Sequence, residues 1–145
     1  MKISTKGRYS LRMLLDLAQH KDDGYVSLKD ISNRQQISKK YLEQIVPLLS
    51  KSGLLRANRG YQGGYMLAKP ADQYTVGEIL RLTEGSLAPV ACLKYEENTC
   101  PRIEECITLP VWKGLNEVIQ NYLDGITLTD ILDNFYGSSG DDYCI

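Results

Sequence analysis

The chain has 145 residues, of which 43% are apolar, and its formal net charge is −1. This length suits one folded domain with a short appended segment. No run approaches the ~18 consecutive apolar residues of a membrane span, and the chain begins without the apolar stretch of a signal peptide, so we expect a soluble, cytoplasmic protein that does not enter membranes. Four cysteines are too few for a secreted disulfide framework. The single histidine, His20, argues against histidine-based catalysis and against a multi-histidine metal site.

The charges are divided unequally between the two halves of the chain. Residues 1–70 contain 13 Lys and Arg against five Asp and Glu, a net charge of +8, whereas residues 71–145 contain four against 13, a net charge of −9. Because a basic half attracts a polyanion, the near-neutral total does not exclude nucleic acid as a partner. The alternative is that two solvated surfaces merely differ in sign.

Apolar spacing predicts three helices in the basic half, over residues 5–20, 28–35 and 39–51. Ser27 and Ser38 are placed to cap the second and third helices, and Gly53 to end the third. The short turn between these two helices predicts a helix-turn-helix, whose second helix can lie in the major groove of DNA. An αα-corner in any helical domain would give a similar pattern.

A β-hairpin is predicted directly after the third helix. Residues 54–58 and 65–68 have the pattern of two short strands, and three glycines in the loop between them permit a close backbone approach. A hairpin in this position is a wing, and Arg59 at its base can present a guanidinium group to a groove or a phosphate. The alternative is an ordinary glycine-rich hairpin with a solvated arginine.

The acidic half begins with a helix predicted over residues 75–84, and from Thr108 a longer helix carries an apolar stripe. The stripe consists of Val111, Trp112, Leu115, Val118, Ile119, Tyr122 and Leu123. A small wing domain has little surface left to cover it, so we expect the same helix of a second chain to do so in a homodimer. Such a dimer would address a roughly palindromic duplex with half-sites about 34 Å apart, or a multiple of it. The alternative is that the stripe packs within its own subunit.

The predicted fold is therefore mainly α with a small β-hairpin wing. A winged helix-turn-helix is expected over residues 1–84 and a cysteine-containing loop over 85–107. A dimerisation helix and a short terminal helix, the latter over 127–135, are expected within 108–135. Residues 136–145 are expected to form a mobile tail.

Cys92, Cys100 and Cys106 all lie in the cysteine-containing loop, with seven and five residues between them. Structural zinc sites usually use pairs of cysteines separated by roughly two to four residues, and the loop has no such pair. Wider spacing is more typical of an iron-sulfur cluster, whose ligands are spread over two or more irons. Three ordinary thiols, buried or reactive, are the alternative.

Several segments, taken in order, resemble one known family. They are residues 1–9 (MKISTKGRY), 37–44 (ISKKYLEQ) and 59–65 (RGYQGGY), together with the three cysteines followed by Trp112. Over nearly the whole chain they resemble the Rrf family of bacterial winged-helix regulators, the group containing IscR, NsrR and CymR, and the cysteines place the chain nearest the cluster-binding IscR-like branch. The resemblance implies a dimeric DNA-binding repressor or activator that responds to the state of an iron-sulfur cluster. A [2Fe-2S] cluster is expected, with [4Fe-4S] as the alternative.

The resemblance also implies which residues contact double-stranded DNA. The family's recognition helix corresponds to residues 38–50, where Gln44 could pair with an adenine edge. The IscR-like branch is thought to use the glutamate at Glu43 to disfavour some sites until the cluster is bound, which is sensible because a carboxylate is repelled by phosphates. Arg59 corresponds to the wing arginine that enters the minor groove. The implied DNA-contacting set is Ser38, Lys39, Lys40, Tyr41, Glu43, Gln44, Arg59 and Gln62.

This chain departs from the family at the fourth cluster ligand. IscR relatives supply a histidine three residues beyond the last cysteine, where this chain has Leu109. NsrR relatives supply an acid near the start of the first helix, where this chain has only basic residues, Lys6, Arg8 and Arg12. The fourth ligand therefore stays open, and the candidates are Cys144, Glu104, Glu105, His20 or a small external ligand. Incomplete ligation by protein would make a cluster labile, as suits a sensor.

The leading functional prediction is a transcription regulator that senses iron-sulfur supply, redox state or nitric oxide through the three cysteines. The alternative is a CymR-like regulator without a cluster, which responds through thiol oxidation or a partner protein. An enzyme or electron carrier is disfavoured, because the sequence has no Ser/His/Asp or phosphate-loop pattern and its first half is strongly basic.

Overall fold

The computed structural model describes residues 1–141, with side chains as far as Gly137. Helices and a hairpin follow one another along this part of the chain. The elements are α1 (Thr5–Gln19), α2 (Leu28–Gln35), α3 (Lys39–Lys51), β1 (Leu55–Asn58), β2 (Gly64–Leu67), α4 (Val76–Glu84), α5 (Leu109–Asp124) and α6 (Leu128–Asp141). Within these residues no helix is both long enough and apolar enough to cross a membrane.

Side-chain hydroxyl groups define the starts of α2, α3 and α4. Ser27, Ser38 and Thr75 each accept a hydrogen bond from the backbone N–H three residues later, at 3.1 Å. Each cap satisfies an amide that the first helical turn leaves unpaired. The caps predicted at Ser27 and Ser38 are therefore confirmed, and the turn between α2 and α3 is three residues long.

The core lies where α2 packs against α1 and α3, and where α1 and α3 pack against the two strands of the hairpin. Leu14 of α1, Ile31 of α2 and Leu42 of α3 are completely buried in it. Tyr74, which precedes α4, is also completely buried, and its hydroxyl group donates to the carbonyl oxygen of Leu54 at 2.6 Å. That bond satisfies the polar end of the ring and fixes the chain before α4 to the start of the hairpin.

The hairpin is antiparallel, with Leu55 opposite Leu67 and Asn58 opposite Gly64. Val26, just before α2, pairs with Tyr65 of β2 through two backbone hydrogen bonds of 2.8 Å. A Cβ atom at Gly64 would lie 2.4 Å from the Val26 carbonyl oxygen, so only glycine permits this close approach. The hairpin is thereby joined to the helix-turn-helix as a wing, which confirms the predicted fold class.

The last two helices differ from the sequence prediction in two respects. α6 was expected to end near Phe135 but continues to Asp141, and residues 142–145 of the predicted tail lie outside the described residues. The stripe on α5 is also divided. Ile119 and Leu123 pack against the cluster of Val76, Leu80 and Leu87 around α4. The stripe is thus partly covered within the chain, because α5 crosses α4 along one of its faces.

Candidate DNA interface and cysteine segment

Helix α3 presents one apolar and one polar face. Leu42, Ile45, Val46 and Leu49 are buried on the apolar face, which follows the helical spacing of three and four residues. The side chains of Ser38, Lys39, Lys40, Glu43 and Gln44 are exposed at its amino-terminal end, as are Arg59 and Gln62 on the hairpin. The polar end of α3 is thus free to contact a ligand.

A groove of about 630 Å³ separates α3 from the wing. Lys39, Glu43 and Pro47 line it from α3, and Arg59 and Gly60 line it from the hairpin. The fold therefore brings together three of the residues predicted to contact DNA: Lys39, Glu43 and Arg59. Ser38, Lys40, Gln44 and Gln62 do not line the groove.

Tyr41, the remaining member of the predicted DNA-contacting set, is partly buried against α1. Its ring meets the ring of Tyr9 edge-on, with 5.2 Å between centroids, and the Arg12 guanidinium lies 5.2 Å from the centre of the Tyr9 ring. Arg12 also donates to Gln35 at the end of α2. This contact was not predicted from the sequence, although the spacing of Tyr9 and Arg12 places them on the same side of α1.

An ion pair between the buried carboxylate of Asp16 and the partly exposed guanidinium group of Arg34 fixes α1 to α2, and local sequence patterns did not predict it. Asp16 is 1% exposed, and the Arg34 guanidinium donates to both of its carboxylate oxygens, at 2.7 and 3.0 Å. Gln35 donates to the same carboxylate at 3.0 Å. The signal was a charged residue within the apolar run Leu14, Leu15 and Leu17, because charges are rarely buried without a partner.

The segment that connects α4 to α5 holds three free thiols, Cys92, Cys100 and Cys106, each partly buried. Cys106 lies three residues before α5, and its sulfur is 3.4 Å from the hydroxyl oxygen of Thr108. That hydrogen bond is the main reason that the pKa of the Cys106 thiol is lowered, and nearby backbone N–H groups and the charge of Arg102 act in the same direction. Cys106 is therefore predisposed to form the thiolate that binds metals and reacts with oxidants.

The chemistry of the donors in this segment fits an iron-sulfur cluster, since thiolates are its usual ligands. An orphaned donor accompanies them, because the buried Asn98 amide nitrogen has no hydrogen-bond partner. The thiols are not assembled into a site, and nowhere among the described side chains, those of residues 1–137, do three or more His, Cys, Asp or Glu lie close enough together to hold a metal ion.

The fourth-ligand candidates have different positions. Glu104 and Glu105 are exposed beside Cys106. The ring nitrogen Nδ1 of His20 lies 2.8 Å from the Asp16 carbonyl oxygen at the end of α1. Leu109, at the position of the IscR histidine, is buried at the start of α5. Cys144 lies outside the described residues.

A helix-turn-helix with a wing, and with Lys39 and Arg59 on opposite sides of the groove between them, is typical of the class of DNA-binding transcription regulators. The family model described as "Rrf2: Iron-dependent Transcriptional regulator" matches residues 3–134, and this chain belongs to that family. It is 40% identical to the HTH-type transcriptional regulator IscR of Erwinia tasmaniensis over 134 residues, which are 92% of this chain and 80% of that protein.

Two solved structures also resemble the chain. IscR of T. potens has a TM-score of 0.71 and 40% identity, covering 92% of this chain and 88% of its own. CymR (YrzC), the global cysteine regulator of B. subtilis, has a TM-score of 0.69 and 36% identity, covering 90% of this chain and 95% of its own. The predicted family is therefore confirmed. The prediction of a transcription regulator in place of an enzyme is also confirmed, because the relatives are named transcriptional regulators.

Proposed function

We propose that this regulator binds a roughly palindromic operator as a homodimer and that an iron-sulfur cluster on Cys92, Cys100 and Cys106 sets its affinity or its base preference. The observation that carries the DNA-binding part is the groove between α3 and the wing, with Lys39 on one side and Arg59 on the other. Residues 1–84 bind the duplex, residues 85–107 hold the cluster, and residues 108–135 join the two subunits.

The polar end of α3 enters the major groove, where its exposed side chains meet base edges and phosphates. Gln44 has both a donor and an acceptor and can pair with adenine. Ser38, Lys39, Lys40 and Tyr41 contact the backbone or adjacent bases. Arg59 and Gln62 place the wing at the minor groove. Glu43 lies beside Lys39 in the groove and repels phosphates, so it restricts the set of sites that are bound.

The homodimer is supported by the part of the α5 stripe that α4 does not cover. Val111, Val118 and Tyr122 are 61%, 65% and 66% exposed, and Leu115 between them is 42% exposed. These four positions recur at helical spacing on one side of α5. An apolar surface of this kind, continuous along a helix, is typical of an interface between identical subunits.

The cysteine segment is linked to the DNA-binding helices through α4. It joins α4 to α5, and α4 packs against α1 and α3. A bound cluster supplies redox and nitric-oxide chemistry. Ligation of one cluster by all three thiols would bring Cys92, Cys100 and Cys106 together and change the conformation of this segment, and the contacts of α4 with α1 and α3 would carry that change to the recognition helix.

Anaerobic reconstitution with iron and sulfide tests the ligand assignment. The wild-type protein is expected to become coloured, with about one cluster per chain by iron and sulfide analysis. Replacing Cys92, Cys100 and Cys106 by Ala is expected to abolish the visible absorbance, while Cys144→Ala and Glu104→Ala test the fourth position. Retention of the colour by the triple variant would contradict the assignment.

The second candidate is a regulator that responds through thiol oxidation or a partner protein without a cluster. The lowered pKa of Cys106 favours it, since a thiolate is the form that peroxide attacks. This candidate predicts protein free of iron whose DNA binding changes after treatment with peroxide, and predicts that Cys106→Ser removes the effect. The cluster candidate predicts no binding change when peroxide is added to iron-free protein.

A further inference from the structure

The cysteine segment contains an asparagine that is fixed by one end of its amide group. The Asn98 side-chain oxygen Oδ1 accepts a hydrogen bond from the backbone N–H of Cys100 at 3.0 Å. Because a backbone N–H can only donate, the atom that faces it must be the oxygen, and the orientation of the amide is determined. The nitrogen Nδ2 therefore points to the opposite side.

That nitrogen is buried and has no hydrogen-bond partner. Most buried donors in folded proteins are paired, because an unpaired donor loses its bonds to water without compensation. Asn98 lies between Cys92 and Cys100 in the chain, so its free N–H groups belong to the segment that carries the thiols. Thiolate and sulfide sulfur atoms are acceptors that a bound cluster would bring into this segment.

We propose that Asn98 is a positioning residue of the cysteine site, which orients Cys100 through Oδ1 and donates through Nδ2 to a sulfur atom of the bound cluster or of a ligating cysteine. The inference rests on the proposed function, since it requires the cluster. A donor to sulfur stabilises the more negative, reduced state and therefore raises the reduction potential. It also slows the loss of iron, because partners in the outer shell commonly change metal affinity 10- to 100-fold, by order of magnitude.

Two substitutions distinguish the donor function of Nδ2 from the structural function of Oδ1, which accepts from the Cys100 N–H. Asn98→Ala removes both functions of the amide. Asn98→Ser retains a short hydroxyl group that can accept from the Cys100 N–H, but does not extend to the position of Nδ2. Thr99→Ala is the control, because Thr99 is an exposed neighbour in the same segment.

The test measures the reduction potential of the reconstituted protein and the rate at which a chelator removes its iron, using the whole chain under anaerobic conditions. Both Asn98 variants are expected to have a lower potential and an iron-loss rate increased about tenfold, while Thr99→Ala matches the wild type. Thermal unfolding of each variant without iron confirms that it is folded.

The remaining results would overturn the inference in different ways. If Asn98→Ser matched the wild type and only Asn98→Ala changed, Asn98 would be a turn residue and not a donor to sulfur. Equal changes in Thr99→Ala would show a general disturbance of the segment, and unchanged variants would show that Asn98 has no role. If wild-type protein took up no cluster at all, the proposed function itself would fail first.

Discussion

At the scale of single residues, the fold depends on a buried carboxylate near the DNA-binding helices. Asp16 is 1% exposed and receives hydrogen bonds from Arg34 and Gln35. The side chain of Arg34 remains 35% exposed. If the pair is broken, water can therefore hydrate the guanidinium group but not the buried carboxylate. Removing the arginine leaves a charge that cannot be hydrated.

Arg34→Met is therefore expected to lower the free energy of unfolding by about 2–3 kcal/mol, because it leaves the Asp16 carboxylate buried without its cation. Lys29→Met is the matched control, since Lys29 is an exposed cation on the same helix, and should change stability by no more than about 0.5 kcal/mol. Urea unfolding measures both. Equal effects of the two substitutions would show that the ion pair between Arg34 and Asp16 does not stabilise the fold.

Gln44 and Arg59 are expected to differ in what they contribute to DNA recognition. Gln44→Ala should reduce discrimination at one base pair by about 1–3 kcal/mol, since a bidentate contact to adenine is lost. Arg59→Ala should instead weaken binding across all sequences and reduce its dependence on salt, because a cation near phosphates is removed. Lys51→Ala, at the opposite end of α3, is the control. Binding of a duplex library at two salt concentrations measures all three, and a uniform loss for Gln44→Ala would contradict the assignment.

At the scale of elements, α4 is fixed to α5 by an exposed ion pair. Arg81 donates to both carboxylate oxygens of Asp124, at 2.7 and 2.8 Å. This hydrogen bond is the main reason that the pKa of Asp124 is lowered from its ordinary value. Because the carboxyl pKa is lowered, the ion pair stabilises the folded state fully at pH values above the ordinary pKa of 3.8. This stabilisation is lost as the pH falls through the lowered pKa.

Asp124→Asn is accordingly expected to lower the free energy of unfolding at pH 7 by no more than about 1 kcal/mol, since water screens the pair. The difference from the wild type should shrink as the pH falls below 3.8. Asp133→Asn, an exposed carboxylate on α6, serves as the control. Thermal unfolding as a function of pH measures the difference, and a gap that stayed constant in acid would argue against the ion pair.

The elements differ in how far the sequence could predict them. The starts of α2, α3 and α4 were predictable because each has a local cap, and the buried face of α3 was predictable because helical spacing determines it. The end of α6 was not, since Gly137 and the serines after it disfavour a helix that nevertheless continues. The pairing of Asp16 with Arg34 and the division of the α5 stripe depend on contacts between distant segments, which local patterns do not contain.

At the scale of the whole molecule, the exposed side of α5 determines the proposed assembly. Val118→Glu is expected to convert the dimer to a monomer, because it places a charge in the centre of an apolar interface. Lys113→Glu changes an exposed side chain on the same helix outside the stripe and should leave the dimer intact. Sedimentation equilibrium distinguishes the two, and a dimeric Val118→Glu variant would place the interface elsewhere.

The proposed dimer would also place the DNA-binding parts of two subunits on one duplex. A dimer engages two half-sites at once, so the second contact is made at a high effective concentration. The monomeric variant should therefore lose most of its affinity for a palindromic duplex, while its affinity for a single half-site stays unchanged.

The proposed function requires that Cys92, Cys100 and Cys106 control the DNA affinity or the base preference of residues 1–84. An operator obtained by selecting bound duplexes from a random library allows the dissociation constant to be measured anaerobically, with and without reconstituted cluster, at fixed salt. We expect loading with the cluster to change the affinity for at least one class of selected sites by about fivefold or more, the order of a typical coupling between sites, and we expect no such change in the triple Cys→Ala variant. Identical dissociation constants for loaded and iron-free wild-type protein on every selected site would contradict the proposed function.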